Sequence, residues 1–268
     1  MTGDVAPAPT GSVDTPGEGL RLTIVAPGPA WTRLPGRASS CYLVELGDEA
    51  IVLDLGHGSF NALAQYRDPA TLRVVFISHL HPDHHIDVIP LRYYLRYGCV
   101  PPVRVEIRAP EGYAARIEGL TAEPGFLGDL LGPAHAPGRV DVGPFRVAMA
   151  RVAHTESSFA FRVGRADAPD TPGLVYSGDC GDAGDVLTLV RPGDAVLSEA
   201  FFGAGPRVRD LPHLTAGDAA RVAVDGGAST LLLTHVQDET DHAEALRAAR
   251  DVFRESRLAE PGMRLTIG

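Results

Sequence analysis

Cysteine is scarce in this chain of 268 residues: Cys41, Cys99 and Cys180 are odd in number and widely spaced, and no secretory apolar run follows Met1. That argues against a disulfide framework and points to a reducing, cytoplasmic setting. Positive charge is also in short supply. Lysine and arginine total 24 against 34 aspartate plus glutamate, a net charge of −10. Proteins that grip long nucleic acids gain affinity by neutralising phosphates, so the balance argues against a large RNA or DNA ligand. No apolar run approaches the ~20 residues that cross a bilayer, so no membrane partner is expected. No internal repeat of solenoid period shows either. What is present, 44% hydrophobic and 22% charged residues, is the makeup of a soluble globular protein able to bury a sizeable core.

The first 18 residues are rich in proline, glycine, threonine and alanine and offer almost nothing to bury, which predicts a disordered tail over 1–18 before one domain over 19–268. Apolar alternation or short apolar runs predict strands over 20–25, 41–46, 50–55, 73–77, 103–109, 140–142, 145–152, 158–163, 174–177, 194–199, 229–234 and 263–267. The second and third of these are joined by a hairpin at Gly47-Asp48-Glu49. Helices are expected over 61–65, 86–97, 111–120, 183–189, 216–224 and 240–254, with Asp182 and Thr215 as N-caps. Tyr93, Tyr94 and Tyr97 either line a pocket or, as is commoner at this spacing, join the core; His135 is read as structural or solvated, and His242 as lying on a solvated helix face. Strands and helices in similar measure in each half suit an α/β fold of two sheet-plus-helix layers packed face to face.

One block stands apart. Ser78-His79-Leu80-His81-Pro82-Asp83-His84-His85-Ile86-Asp87 puts four histidines and two carboxylates directly after the strand at 73–77. Imidazole with carboxylate suits zinc, iron or manganese. Other chemistry-bearing residues recur at strand ends, where a rigid sheet presents loops: His154, Asp179 between glycines, and His235. Seven ligands are too many for one tetrahedral ion and suit two ions sharing a carboxylate. The expected partition places His79, His81 and His154 on a first ion and Asp83, His84 and His235 on a second, with Asp179 between them. Asp54, at the end of another strand, either braces the histidine loop from behind or is a plain turn aspartate. Cys180 is either a further ligand or a small half-buried thiol. No role is assigned to His57.

The ordered set, with Asp54, HLHPDH from His79 to His84, then His154, Asp179 and His235, resembles the metallo-β-lactamase superfamily across nearly all of the chain beyond the tail. The resemblance implies an αβ/βα four-layer sandwich of two mixed sheets flanked by helices, with two divalent metal ions at one sheet edge. Zinc is the expected ion, and manganese or iron suits the same ligands. Ser198-Glu199-Ala200-Phe201-Phe202 followed by His213-Leu214-Thr215-Ala216 resembles the ribonuclease Z-like branch. By that resemblance Glu199 orients His213, which protonates the leaving oxygen or steadies the charged transition state. The implied enzyme is a phosphodiesterase that attacks a small or nucleotide-like substrate with hydroxide held between the ions, Asp83 serving as ligand and proton acceptor. Alternatives are a lactone or thioester hydrolase, a tRNA 3′-processing endonuclease and a non-catalytic metal sensor. No extended basic arm lies between His85 and His154, unlike in the tRNA-processing members. The resemblance also allows a homodimer.

Overall fold

The computed structural model describes residues 19–268; the expected tail over 1–18 lies outside the described residues. In the N-terminal half the strands are β1 (Leu20–Ala26), β2 (Cys41–Leu46), β3 (Glu49–Leu53), β4 (Val74–Phe76) and β5 (Glu106–Arg108). The C-terminal half carries β6 (Gly138–Val142), β7 (Phe145–Arg151), β8 (Phe159–Arg165), β9 (Leu174–Tyr176), β10 (Ala195–Glu199), β11 (Thr230–Thr234), β12 (Ser256–Leu258) and β13 (Arg264–Ile267). They form two mixed sheets, ordered β13-β1-β2-β3-β4-β5 and β12-β11-β10-β9-β8-β7-β6. The last strand crosses over to close the first sheet, pairing antiparallel to β1.

Side-chain alternation explains the layering. In β3, Ile51 and Leu53 face the other sheet while Ala50 and Val52 face outward. In β10, Ala195 and Leu197 face inward and Val196 outward. Both faces are apolar because both are covered, so these strands read as near-continuous hydrophobic runs. Between the sheets, Tyr42, Phe76, Phe145, Phe161, Leu197 and Leu232 meet in one core. Helices α1 (Ser59–Leu63), α2 (Pro82–His85), α3 (Val88–Tyr93) and α4 (Tyr113–Thr121) belong to the first half, and Leu63, Leu91 and Ile117 from them join the cluster outside the first sheet. Helices α5 (Ala183–Leu187), α6 (Ala216–Asp225) and α7 (His242–Val252) contribute Val186, Ala219 and Ala245 to the cluster outside the second. The result is the expected four-layer αβ/βα sandwich. Among the described residues no helix is long and apolar enough to cross a membrane.

Several local expectations need correction. The helix read over 86–97 is broken: α2 carries the end of the histidine block, α3 follows, and the chain loosens into a π turn at Tyr94–Gly98. Tyr93 and Tyr97 are not core. They are 45% and 64% exposed and stack on each other, because this helix covers the sheet with Leu91 and Leu95 instead. His135 is structural, buried with its Nε2 donating to the Ile77 carbonyl at 2.9 Å, and burial pushes the ring down to about 4. His242 is half-buried and donates to the Gln237 carbonyl at 3.0 Å, since it opens α7 rather than lying on its outer face. The short strand β12 was not expected; only three residues long, it carries too little alternation to be read locally. Asp182 and Thr215 cap α5 and α6 as expected, Thr215 in a capping box with Asp218.

Candidate metal centre

The histidine block leaves β4 at its C-terminal end, beside β3 and β5 in a parallel arrangement. Loops at such strand ends are where α/β sheets build their sites. Pro82 starts α2, which turns Asp83 and His84 back towards the sheet edge. Gly56 lets the chain after β3 pass beneath this turn, since a Cβ there would collide with the Asp83 carbonyl. From the second sheet, His154 follows β7, Asp179 follows β9 and His235 follows β11. All arrive at the same rim.

Among the described residues three sets of donor atoms come together. His79, His81, His154 and Asp179 form one, Asp83, His84, His235 and Asp179 a second, and Asp179, Glu199 and His213 a third, with the ligand atoms of each set within 4.8 Å of one another. The first two contain the residues of the expected partition, with Asp179 in both. In the first group His81 Nδ1 lies 3.0 Å from His79 Nε2 and 3.1 Å from His154 Nε2, and Asp179 Oδ2 is 3.7 Å from each of the latter. Nitrogens around a tetrahedral zinc at ~2.0–2.1 Å would stand about 3.3 Å apart, close to the spacing of these hydrogen-bonded rings. In the second group His84 Nε2 lies 3.2 Å from Asp179 Oδ1 and 3.4 Å from Asp83 Oδ2, and His235 Nε2 is 3.3 Å from Asp179 Oδ2.

The fit to a cation can be tested on polar satisfaction. Among the described residues His84 Nε2 and Asp179 Oδ1 are buried and lie 3.2 Å apart, with no well-aligned hydrogen bond to either atom. Orphaned buried polar atoms are rare and costly, and two facing one another point to a shared positive ligand. The charges agree. Burial alone would lower His84, yet Asp179, Asp83 and Asp54 outweigh it and hold the ring well above its ordinary value. Burial would likewise raise Asp83 and Asp179, but the surrounding imidazoles win, taking Asp83 to about 2 and Asp179 well below the usual carboxylate range. Burial keeps His79, His81 and His154 neutral, with a lone pair available. Imidazole nitrogens and carboxylate oxygens in these numbers fit a pair of divalent ions.

The surrounding bonds orient the rings. His154 donates from Nδ1 to the Pro212 carbonyl at 2.9 Å, leaving Nε2 for the centre. His84 donates from Nδ1 to Asp54 Oδ2 at 2.7 Å. Asp54 is fully buried behind the loop and also accepts from the Ser78 amide (2.6 Å), the Ser78 hydroxyl (2.7 Å) and the Tyr176 hydroxyl (2.6 Å). The bracing reading of Asp54 is therefore the one the geometry carries. Asp54 and His235 hold the left-handed conformation, φ 58° and 55°, as do Ala122 and Asp210, and aspartate and histidine adopt it more readily than most residues. Beside the first group, His213 Nδ1 donates to Glu199 Oε1 at 2.9 Å, and the His213 ring lies 4.7 Å from that of His154. Burial opposes protonation of His213, but the Glu199 bond outweighs it and raises the ring above its ordinary value.

Other residues stand outside. Cys180 belongs to none of these donor sets; its Sγ donates to the Asp182 carbonyl at 3.0 Å, and burial pushes the thiol up to about 12. His85 turns away to the Leu80 carbonyl, and the His57 ring rests on the Ser39 hydroxyl at 3.1 Å. Sequence reasoning missed Ser40, whose hydroxyl meets His235 Nδ1 at 3.3 Å, together with Ser78, Tyr176 and Phe201. The only available signal was adjacency of some of them to assigned residues; Tyr176 reaches Asp54 from 122 positions away.

Residues 52–236, from within β3 to just past His235, match the beta-lactamase superfamily domain. The uncharacterized protein ML1173 of Mycobacterium leprae is 30% identical over 227 residues, covering 82% of this chain and 78% of that protein. YhfI of Bacillus subtilis, named a probable metallo-hydrolase, is 27% identical over 84% of this chain and 91% of its own length. The crystal structure of YhfI matches with a TM-score of 0.81 at 23% identity, over 93% of this chain and 100% of that one. A ribonuclease Z from Myxococcus xanthus is 26% identical, covering 87% of this chain and 93% of that enzyme.

Proposed function

The chain belongs to the beta-lactamase superfamily and is a metal-dependent hydrolase, and from that premise we propose a phosphodiesterase acting on a small or nucleotide-like substrate in the cytoplasm. His79, His81, His154 and Asp179 would hold one divalent ion and Asp83, His84, His235 and Asp179 the second, zinc being the expected metal. A pair of ions so held supplies Lewis acidity and acidifies water towards neutral pH. The remaining work falls to the protein. Asp83 takes the proton released by the attacking water. Ser78, Tyr176 and Asp54 keep His84 from rotating. Glu199 fixes the tautomer of His213, so that Nε2 carries a proton to the leaving oxygen.

The observation that carries the phosphodiester reading is the Glu199–His213 bond of 2.9 Å at the edge of the metal-ligating groups. A protonated donor is most valuable where an alkoxide leaves, as in a diester, and least where a lactone or activated thioester opens. The likeness to a metallo-hydrolase and to a ribonuclease Z supports phosphodiester hydrolysis, and the acidic balance, −10, supports a small phosphodiester over long RNA. The test is a panel of bis-aryl phosphate, aryl monophosphate and lactone on metal-assayed protein, with pre-tRNA as a fourth substrate. Diester turnover well above the others is expected. Fast lactone turnover with an inert diester would overturn the reading in favour of acyl hydrolysis, and salt-resistant pre-tRNA cleavage would overturn the small-substrate assignment.

A further inference from the structure

Resting on that reading, we propose that Phe201 is a positioning residue that clamps the His213 ring so that its Nε2 stays aimed at the leaving oxygen. The Glu199 bond fixes His213 at one nitrogen only. It leaves the ring free to turn about the bond, and such turning swings Nε2 across the site. Phe201 removes that freedom by lying flat against the imidazole, centroids 4.2 Å apart and planes 15° from parallel. His154 limits the ring from another direction, at 4.7 Å and 61°.

Phe201 is tied to the other member of the pair as well. Its backbone amide donates to Glu199 Oε2 at 3.0 Å, while the Cys180 amide donates to Oε1 at 2.9 Å. Glu199, Phe201 and His213 thus close a three-membered unit in which one residue holds the carboxylate through its backbone and the imidazole through its ring. Phe201 is itself held, edge-on, by the buried Phe202 at 5.3 Å and 84°. It also stacks more loosely on His235, at 6.1 Å, which sets its plane relative to the second ligand group. A proton donor must reach within ~2.6–3.2 Å of its acceptor. A displacement of about 1 Å costs on the order of 100-fold, so the clamp has a measurable consequence.

The experiment compares F201A, F201Y, H213A and the F201A/H213A double variant as metal-loaded proteins. The substrates are a nucleoside 4-nitrophenyl phosphodiester, whose leaving group needs no proton, and a dinucleotide, whose leaving group does. F201A should lose on the order of tenfold or more in kcat on the dinucleotide and less than about threefold on the nitrophenyl ester, with KM little changed. F201Y should retain the wild-type rates. In the H213A background, F201A should add nothing. Equal losses on both substrates, or losses that add to those of H213A, would overturn the clamp.

A second readout does not depend on substrate. The His213 Nδ1–H, assigned by its absence in H213A, should give a sharp downfield proton resonance in wild type and F201Y. In F201A it should broaden or vanish with metal content unchanged. A sharp resonance in F201A overturns the clamp even if all diesters prove inert, whereas inert diesters with a lost resonance overturn only the phosphodiester reading.

Discussion

Replacing Asp54 with asparagine should weaken the ligand group containing His84 far more than it disturbs the fold. The backbone is not the perturbed element, because Asp54 sits at φ 58° and asparagine tolerates the left-handed region as well as aspartate does. The side chain is. Oδ2 accepts from His84 Nδ1, the Ser78 hydroxyl and the Tyr176 hydroxyl at 2.6–2.7 Å, and an asparagine amide placed there would face three donors with hydrogens of its own. The two hydroxyls can rotate and accept. The neutral His84 ring that a metal requires can accept at Nδ1 only by moving its proton to Nε2, the atom that points at Asp179 and Asp83. The variant therefore removes a lone pair from the second ligand group without touching any of its members. Loss of a charge-assisted buried bond costs about 2–3 kcal/mol. For a domain of this size that is roughly 5–10 °C in the unfolding midpoint of metal-free protein. Loss of an orienting partner behind a ligating histidine costs about 10–100-fold in metal affinity. Chelator-competition titration of zinc into metal-free wild type and D54N should resolve a weak and a strong site, with the drop concentrated in one of them. Equal weakening of both sites, or unchanged affinity with only a lowered midpoint, would refute the tautomer argument.

Removal of the His213 imidazole in H213A should lower turnover of poor-leaving-group diesters by about 10²–10⁴-fold with bound metal unchanged; metal loss on elemental analysis would make His213 a ligand instead. C180A should keep its full metal content, since the thiol is buried and protonated, and the wild-type thiol should resist iodoacetamide in the native state. Asp218 is taken to about 2 although burial opposes this, because Arg207, Thr215 and Arg221 all bond it. A carboxylate depressed in the folded state contributes stability that is fully present above its unfolded value, about 4, and is lost as pH falls through its folded value. Acid denaturation between about pH 4 and 2 should therefore be steeper in wild type than in D218N; parallel profiles would remove Asp218 from the acid response.

Much of the candidate site was legible because each member belongs to a residue type that is conspicuous on its own. Four histidines in the block after β4, a glycine-flanked aspartate after β9 and a histidine closing the most apolar C-terminal strand, β11, are local signals. Local periodicity placed the strands that carry them. Elements whose existence depends on distant partners were misread. The three-residue β12 is a strand because β11 lies beside it, and Tyr93 and Tyr97 are exposed because Leu91 and Leu95 took the inward face.

Residue chemistry alone determined which atoms could bind cations, how many there are, and that they lie at the ends of buried strands. Only the folded arrangement decided how they are shared and held: that His84 is backed by Asp54, that Tyr176 reaches across from the second sheet to the same carboxylate, and that Phe201 lies flat on His213. The physical reason is range. Strand alternation and turn chemistry act over a few residues. Ring stacking and buried hydrogen bonds join groups distant along the chain, and their partners exist only once the two sheets have packed.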